Sequence, residues 1–156
     1  METRRLVLPL FTSEDVAAIV GAHRLPYWAP DFPADGDREI AAFLERTGIP
    51  SGPDADFTAR LVVERDSGLA VGSAGFLGPP ENGRVEIGYG LVASRRGRGY
   101  ATEAVRALTA FAVGRPDVTE VVATVEPGNL ASIRVLEKVG FTERPRSGTE
   151  LRYALP

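Results

Sequence analysis

Residues 57–92 hold three runs rich in β-branched and aromatic residues, at 57–64, 69–77 and 84–92. Two short turns separate them: Asp66-Ser67-Gly68, and the stretch GPPENG at 78–83. Strands joined this closely pair antiparallel, because a parallel return needs a crossover of about a dozen residues or more. The middle of the chain is therefore committed to an antiparallel meander. A different element follows it. Residues 100–113 place Ala101, Ala104, Val105, Leu108, Phe111 and Ala112 on one face at helical spacing. Gly114 and Pro116 then supply a helix stop.

The flanking segments alternate in the same way. Residues 6–11 read as a first strand, with Pro9 placing it at an edge or ending it early. Thr12 and Ser13 offer an N-cap to a helix running to Gly21, with Glu14 and Asp15 in its first turn. Residues 24–37 contain three prolines and three aromatics and read as a loop. Asp37 is placed to cap a second helix that passes Phe43 and Leu44 and ends at Gly48, and 48–56 is rich in turn residues. Residues 119–125 form a β-branched strand and 129–139 a helix stopped by Gly140. Two last strands, 141–144 and 149–155, meet at a turn around Ser147-Gly148. The order β, α, α, three β, α, β, α, β, β predicts an α/β (α+β) fold. Its mixed, mostly antiparallel sheet has about seven strands flanked by four helices. At 156 residues the chain has the length of one domain, expected to span 1–156.

Composition removes whole classes of chemistry. With no cysteine there is no disulfide, no thiol nucleophile and no cysteine-ligated metal. With one histidine, His23, a multi-histidine metal site is excluded, and no metal is expected. His23 itself is expected to be structural or solvated. A net charge of −3 argues against a dedicated nucleic-acid binder. No run of ~18 apolar residues and no N-terminal signal core occurs, so no membrane association is expected and the expected setting is cytoplasmic.

Three segments carry chemistry. RGRGYATEA, at 96–104, follows a strand and opens a helix. The first N–H groups of a helix lack partners and attract anions, phosphate above all. Gly97 and Gly99 let the backbone approach closely, Arg96 and Arg98 add charge, and Thr102 adds a hydroxyl. The plainer reading is a glycine turn with solvated arginines. The segment is neither a P-loop, since it has no lysine, nor a good dinucleotide fingerprint, since it lacks the third glycine. In the strand GRVEIGYGLV, at 83–92, Val85, Ile87, Tyr89 and Leu91 share one face, and Arg84, Glu86, Gly88 and Gly90 the other. A carboxylate thus stands beside a strip cleared of side chains, which marks either a ligand approach or a bulge beside a cross-strand ion pair. In EPGNLASIRVLEKVGF, at 126–141, Asn129 is a good N-cap and Ser132 lies one turn inside. Capping alone explains Asn129 as well as ligand contact does, and a helix serine such as Ser132 is more often solvated or bonded to its own backbone.

Taken together, these segments resemble the GCN5-related N-acetyltransferase (GNAT) superfamily. Arg96-Gly97-Arg98-Gly99-Tyr100-Ala101 matches its acetyl-CoA pattern [Q/R]-x-x-G-x-[G/A]. EIGYGL at 86–91, GRGYATEA at 97–104 and NLASIRVLEKVGF at 129–141 are similar to the RimJ/RimL type, the ribosomal-protein N-terminal acetyltransferases. The resemblance is densest over 84–141. It implies that acetyl-CoA is the co-substrate and that its pyrophosphate lies on the N–H groups from Arg98 through Gly99, Tyr100 and Ala101 to Thr102. Arg96 and Gly97 would shape the approach. It implies that the pantetheine arm pairs with Leu91 and Val92 and touches Asn129. A primary amine, from a protein N-terminus or a small molecule, would receive the acetyl group directly. Glu86 is the first candidate to take its proton, and Glu150 the second. Many relatives carry a tyrosine where this chain has Leu136; the resemblance offers Ser132 in its place as the group that protonates the thiolate. Tyr27, Trp28 and Asp31, in the loop between the first two helices, are candidates for the acceptor side, with Asp35 and Asp37 as further anions. The same aromatics also fit a small cluster, with Phe32, that closes the core. The chain is expected to be a monomer or a homodimer. Two other readings compete: a non-catalytic acyl-CoA sensor, and a nucleotide- or dinucleotide-binding protein.

Overall fold

The computed structural model describes residues 1–145 and 148–156. Ser147, half of the last expected turn, lies outside them. The strands are β1 (Leu6–Val7), β2 (Ala59–Glu64), β3 (Ala70–Phe76), β4 (Arg84–Leu91), β5 (Glu120–Val125), β6 (Thr142–Arg144) and β7 (Leu151–Leu155). The helices are α1 (Ser13–Val20), α2 (Asp35–Thr47), α3 (Tyr100–Val113) and α4 (Leu130–Val139). The sheet has seven strands in the order β1-β2-β3-β4-β5-β7-β6. The meander β2-β3-β4 is antiparallel as expected, and β4 then runs parallel to β5 across the α3 crossover.

The first strand is shorter than its apolar run, which continues through Leu8 to Phe11. Pro9 has no N–H to continue a ladder; its carbonyl accepts from Leu61 N at 2.9 Å, while Leu6, Leu8 and Phe11 still go into the core. Thr12 caps α1 in a reciprocal box, its hydroxyl accepting from Asp15 N and its own N–H donating to Asp15 Oδ2. The expected cap of α2 is corrected. Asp37 stands in the first turn of a helix that begins two residues earlier, and it accepts from Ala34 N at 2.8 Å.

The helices divide between the two faces of the sheet. Asp37 of α2 accepts a 2.6 Å bond from Ser73, whereas Phe111 of α3 packs on Phe76 with ring centroids 5.8 Å apart. Ser73 and Phe76 alternate on β3, so α2 and α3 lie on opposite faces. α4 packs beside α3. The core joins both layers through Phe57, Val62, Val71, Val85, Leu108 and Leu136, all fully or nearly fully buried.

One break in this sheet positions the site. β4 and β5 are in register at Arg84–Glu120, Val85–Val121 and Glu86–Val122. Beyond these pairs β4 stays with β3 as far as Leu91, and β5 stays with β7 as far as Val125. The two central strands therefore part after Glu86 and form a fork.

Candidate active site

The fork opens toward the arginine-glycine loop. Val92 leads into a short turn of 3-10 helix, Ala93–Arg95, and then the loop rises to α3. Gly97 and Gly99 have φ of +75° and +80°. Both lie in the left-handed region that side chains disfavour, and this is why glycine stands at both positions. The first N–H of α3 with an acceptor is that of Glu103, bonded to Gly99 O at 3.0 Å. Among the described residues, the N–H groups of Gly97 through Thr102 have no hydrogen-bond partner. That makes six backbone donors at the positive end of a fourteen-residue helix.

Three carboxylates hold this loop from behind. Asp31 accepts from Ser94 N at 2.9 Å and Ser94 Oγ at 2.7 Å. Those two bonds lower its pKa. Glu64, itself 5% exposed, accepts from Arg95 Nε at 3.1 Å, with Arg98 Nη1 at 3.7 Å. Burial pushes its carboxyl up, but hydrogen bonds from Ser67, Arg95 and Tyr100 outweigh that and leave the pKa lowered. Glu103 collects Thr3 Oγ1 at 2.6 Å, Arg5 N at 2.8 Å and Arg5 Nε at 2.7 Å. Its pKa is likewise lowered, burial again being outweighed by these bonds. Arg5 then donates to Arg98 O at 2.9 Å and lies 4.8 Å over the Tyr100 ring. Sequence reasoning passed over Arg5, because nothing in the N-terminal residues shows that they reach the loop.

This arrangement revises the role of the loop's charges. Arg95 is spent on Glu64, and Arg96 Nε donates to Leu91 O at 3.0 Å. The loop thus offers backbone donors first and guanidinium groups second. Glu103→Gln is expected to cost about 1 kcal/mol near neutral pH, a charged hydrogen bond discounted for the exposure of Arg5. A depressed carboxylate contributes stability that is present above its unfolded value of about 4.3 and is lost as pH falls through the folded one. Urea titrations of both proteins should therefore begin to converge as pH falls below about 4.3 and meet below the depressed folded value.

The fork carries the remaining candidates. Glu86 stands at the last paired residue, half-buried, and its Oε1 accepts from Thr124 Oγ1 of β5 at 2.7 Å. Gly88 and Gly90 extend from it along the same face; a Cβ at Gly88 would stand 3.1 Å from the side chain of exposed Leu77, whereas open space lies beside Gly90. Leu77 N donates to Glu86 O, and Val92 N to Val71 O, both at 2.9 Å. In an antiparallel pair the intervening residues turn their backbone groups the other way, so Tyr89 and Leu91 direct theirs to the fork. Val92 is corrected here: its N–H belongs to Val71 and its carbonyl accepts from Arg95 N at 3.0 Å. Neither group is free to pair with a ligand.

On the opposite face, the Tyr89 hydroxyl donates to Ser132 O of α4 at 2.9 Å. Burial pushes this phenol up to about 12. Asn129 caps α4 by accepting from Ser132 N at 3.1 Å. Leu136 is 1% exposed and belongs to the core. Glu150 is exposed, on the approach to β7.

The candidates for the acceptor side are dispersed. Trp28 is 4% exposed, with its ring edge-to-face on Phe32 at 5.2 Å, inside the core. Tyr27 donates to Asp15 Oδ1 at 2.6 Å. Burial first, and then Asp15, hold its pKa up. Asp35 is exposed in the first turn of α2. Asp37 is 3% exposed, so it does not offer charge to an exposed ammonium group. Exposed His23 lines a cavity of about 340 Å³ with Trp28, Asp31 and Arg38, and no β4 residue takes part. Of these residues, only Asp31 is brought to the loop. A second cavity, of about 650 Å³, adjoins the start of α3 and is lined by Arg5, Gly99, Thr102, Arg106 and Lys138 among others. Among the described residues, no group of His, Cys, Asp and Glu is placed to hold a metal ion.

Comparison with known proteins converges on one family. The family model described as acetyltransferase (GNAT) domain matches residues 5–142. An uncharacterized N-acetyltransferase of Bacillus subtilis (strain 168), YjdG, is 42% identical over 104 residues, covering 66% of this chain and 62% of that protein. A kanamycin resistance protein of Rhizobium radiobacter is 42% identical over 57 residues, 36% of this chain and 50% of that one. The chain thus spans less than two thirds of the length of these curated relatives. The crystal structure of an acetyltransferase from Agrobacterium tumefaciens superposes with a TM-score of 0.69 at 25% identity, over 100% of this chain and 93% of that one. A RimL acetyltransferase in complex with coenzyme A superposes at 0.64 with 20% identity, over 98% and 94% of the two chains, a likeness of fold. The forked sheet, the glycine loop and the match over 5–142 agree: the chain belongs to the GNAT acetyltransferase family.

Proposed function

We propose that this chain, as a single domain, is an acetyl-CoA-dependent N-acetyltransferase of the RimJ/RimL type. It moves acetyl from the thioester directly to a primary amine. The observation that carries the reading is the fork itself, with a carboxylate at its closed end and six unpartnered N–H groups across its open end. The site fits the co-substrate. The pyrophosphate takes the N–H groups of Arg98, Gly99, Tyr100, Ala101 and Thr102, and Gly97 leaves open space beside them. The pantetheine amides pair with the free edge at Tyr89 and Leu91, and Arg96 leaves Leu91 O as they arrive. Asn129 borders the same channel from α4. When bound, acetyl-CoA supplies the activated acyl group.

Glu86 supplies the base. An ammonium group has no lone pair, so the amine must lose a proton before it attacks. A carboxylate at the head of the Gly88–Gly90 strip can accept that proton directly or through one water. The edge N–H of β4 polarises the thioester carbonyl. The acceptor lies on the Gly88–Gly90 side, the face opposite Tyr89. A protein N-terminus suits this strip better than a polycation, because Glu86 is the one carboxylate on that face of β4. The motifs at 86–91 and 129–141 support the RimJ/RimL type. Among the described residues no helix is long and apolar enough to cross a membrane, and we place the enzyme in the cytoplasm.

Thermal unfolding with acetyl-CoA, CoA, ATP and NAD in parallel tests the reading. At a hundred times Kd, a ligand that binds only the native state adds about 2.7 kcal/mol. At this chain length that raises Tm by roughly 5–10 °C. The expected result is a rise with the two CoA species alone. No rise with either, up to millimolar concentration, would overturn the proposal.

A further inference from the structure

The departing sulfur needs a partner, a role the family resemblance offers to Ser132 in place of Leu136. Leu136 is buried and apolar. Ser132 lies in the first turn of α4, and its backbone is already engaged: its N–H donates to Asn129, and its carbonyl accepts from Tyr89. The group that bridges the β4 arm and α4 is the Tyr89 phenol. It belongs to the stretch of β4 beyond the last β5 pair, three residues past Glu86. At about 3.3 Å per residue that is roughly 10 Å toward the loop. It also points to the opposite face, since Glu86 and Tyr89 alternate. A thioester lying between the arms therefore has the base on one side and this phenol on the other.

We propose that Tyr89 is the catalytic residue that receives the leaving sulfur, by hydrogen bond from its hydroxyl, and that Ser132 serves as its resting acceptor. The inference rests on the acetyl-CoA reading above. Glu86 first passes one proton of the ammonium to solvent; the freed nitrogen then attacks the thioester carbon and gives its second proton to Glu86. The carbon–sulfur bond then breaks with its electron pair on sulfur. The phenol turns from Ser132 O to that sulfur. It keeps its own proton, because a phenol pushed up to about 12 is a weaker acid than a thiol of about 8.5. The thiolate takes a proton from water as it leaves, and the phenol returns to Ser132.

The test reads the sulfur itself. The chain has no cysteine, so thiolate ultraviolet absorbance in the complex with CoA reports the bound ligand alone. A donor on the sulfur lowers the bound thiol's pKa below that of free CoA. Tyr89→Phe should raise it by about one pH unit or more and lower kcat by about tenfold to a hundredfold, with KM for acetyl-CoA little changed. Ser132→Ala should leave the thiol's pKa where it is. The wild-type titration alone decides if the Phe variant does not fold: a bound thiol with the pKa of free CoA overturns the proposal. A thiol pKa raised by Ser132→Ala and unmoved by Tyr89→Phe overturns it too. Failure of the wild-type protein to bind CoA at all would instead remove the acetyl-CoA reading, and this inference with it.

Discussion

Glu86→Gln is expected to lower kcat by about a hundredfold to ten-thousandfold, the range for loss of a positioned general base. Affinity for acetyl-CoA should stay within about twofold, because the carboxylate faces the strip where the acceptor lies. Glutamine keeps the length of the side chain and can still accept from Thr124 at the closed end of the fork. What it loses is basicity. The deficit should therefore shrink as pH rises toward the amine's own pKa, where free amine no longer needs the base. Steady-state rates across pH check this. A variant with wild-type kcat at neutral pH would move the base elsewhere, to Glu150 or to solvent.

Gly99→Glu is expected to weaken CoA binding by about a hundredfold. Two terms add. A side chain at φ +80° costs about 1–2 kcal/mol, which the free loop relieves by relaxing and binding must restore. A carboxylate among donors that face a pyrophosphate adds about 1 kcal/mol of like-charge repulsion even in a well-screened setting. At about 1.4 kcal/mol per tenfold, the sum gives the stated loss. The added Cβ would also stand 3.4 Å from Arg5 Nη2, against the tether that holds the loop. Calorimetric titration reads the change. Unaltered affinity would show that the helix start does not carry the pyrophosphate.

The fold was legible where local chemistry decides it. The α3 boundaries and the stop at Gly114 follow from apolar spacing and glycine placement, and the structure has them at the same residues. The meander followed from two short turns. Element ends were less legible where tertiary contacts set them. Asp37 looked like an N-cap because its side chain suits one; the helix instead starts at Asp35, and the same carboxylate is drawn into the sheet by Ser73.

The site divides along the same line. The loop and Glu86 were visible because glycine, arginine and a lone carboxylate leave a local signature. Arg5 and Glu64 were not, since each meets the loop from a distant part of the chain. Tyr89 was visible only as one member of an alternating strand. Its partner on α4 is forty-three residues away, and nothing between them marks the pairing. Trp28 shows how two readings of one loop are separated only by packing: an aromatic between prolines fits a binding surface or a core cluster, and the ring packs on Phe32 in the core.

Release of free thiol from acetyl-CoA tests acetyl transfer by this chain at first hand. It would be followed with peptide N-termini, amino acids, polyamines and aminoglycosides in turn, and the N-acetylated product would be counted by mass spectrometry. The cysteine-free chain contributes no thiol of its own. The expected result is amine-dependent release, one thiol per acetylated amine, greatest with a peptide N-terminus and lost in Glu86→Gln. Tight CoA binding with no amine-dependent release from any of these acceptors would contradict it.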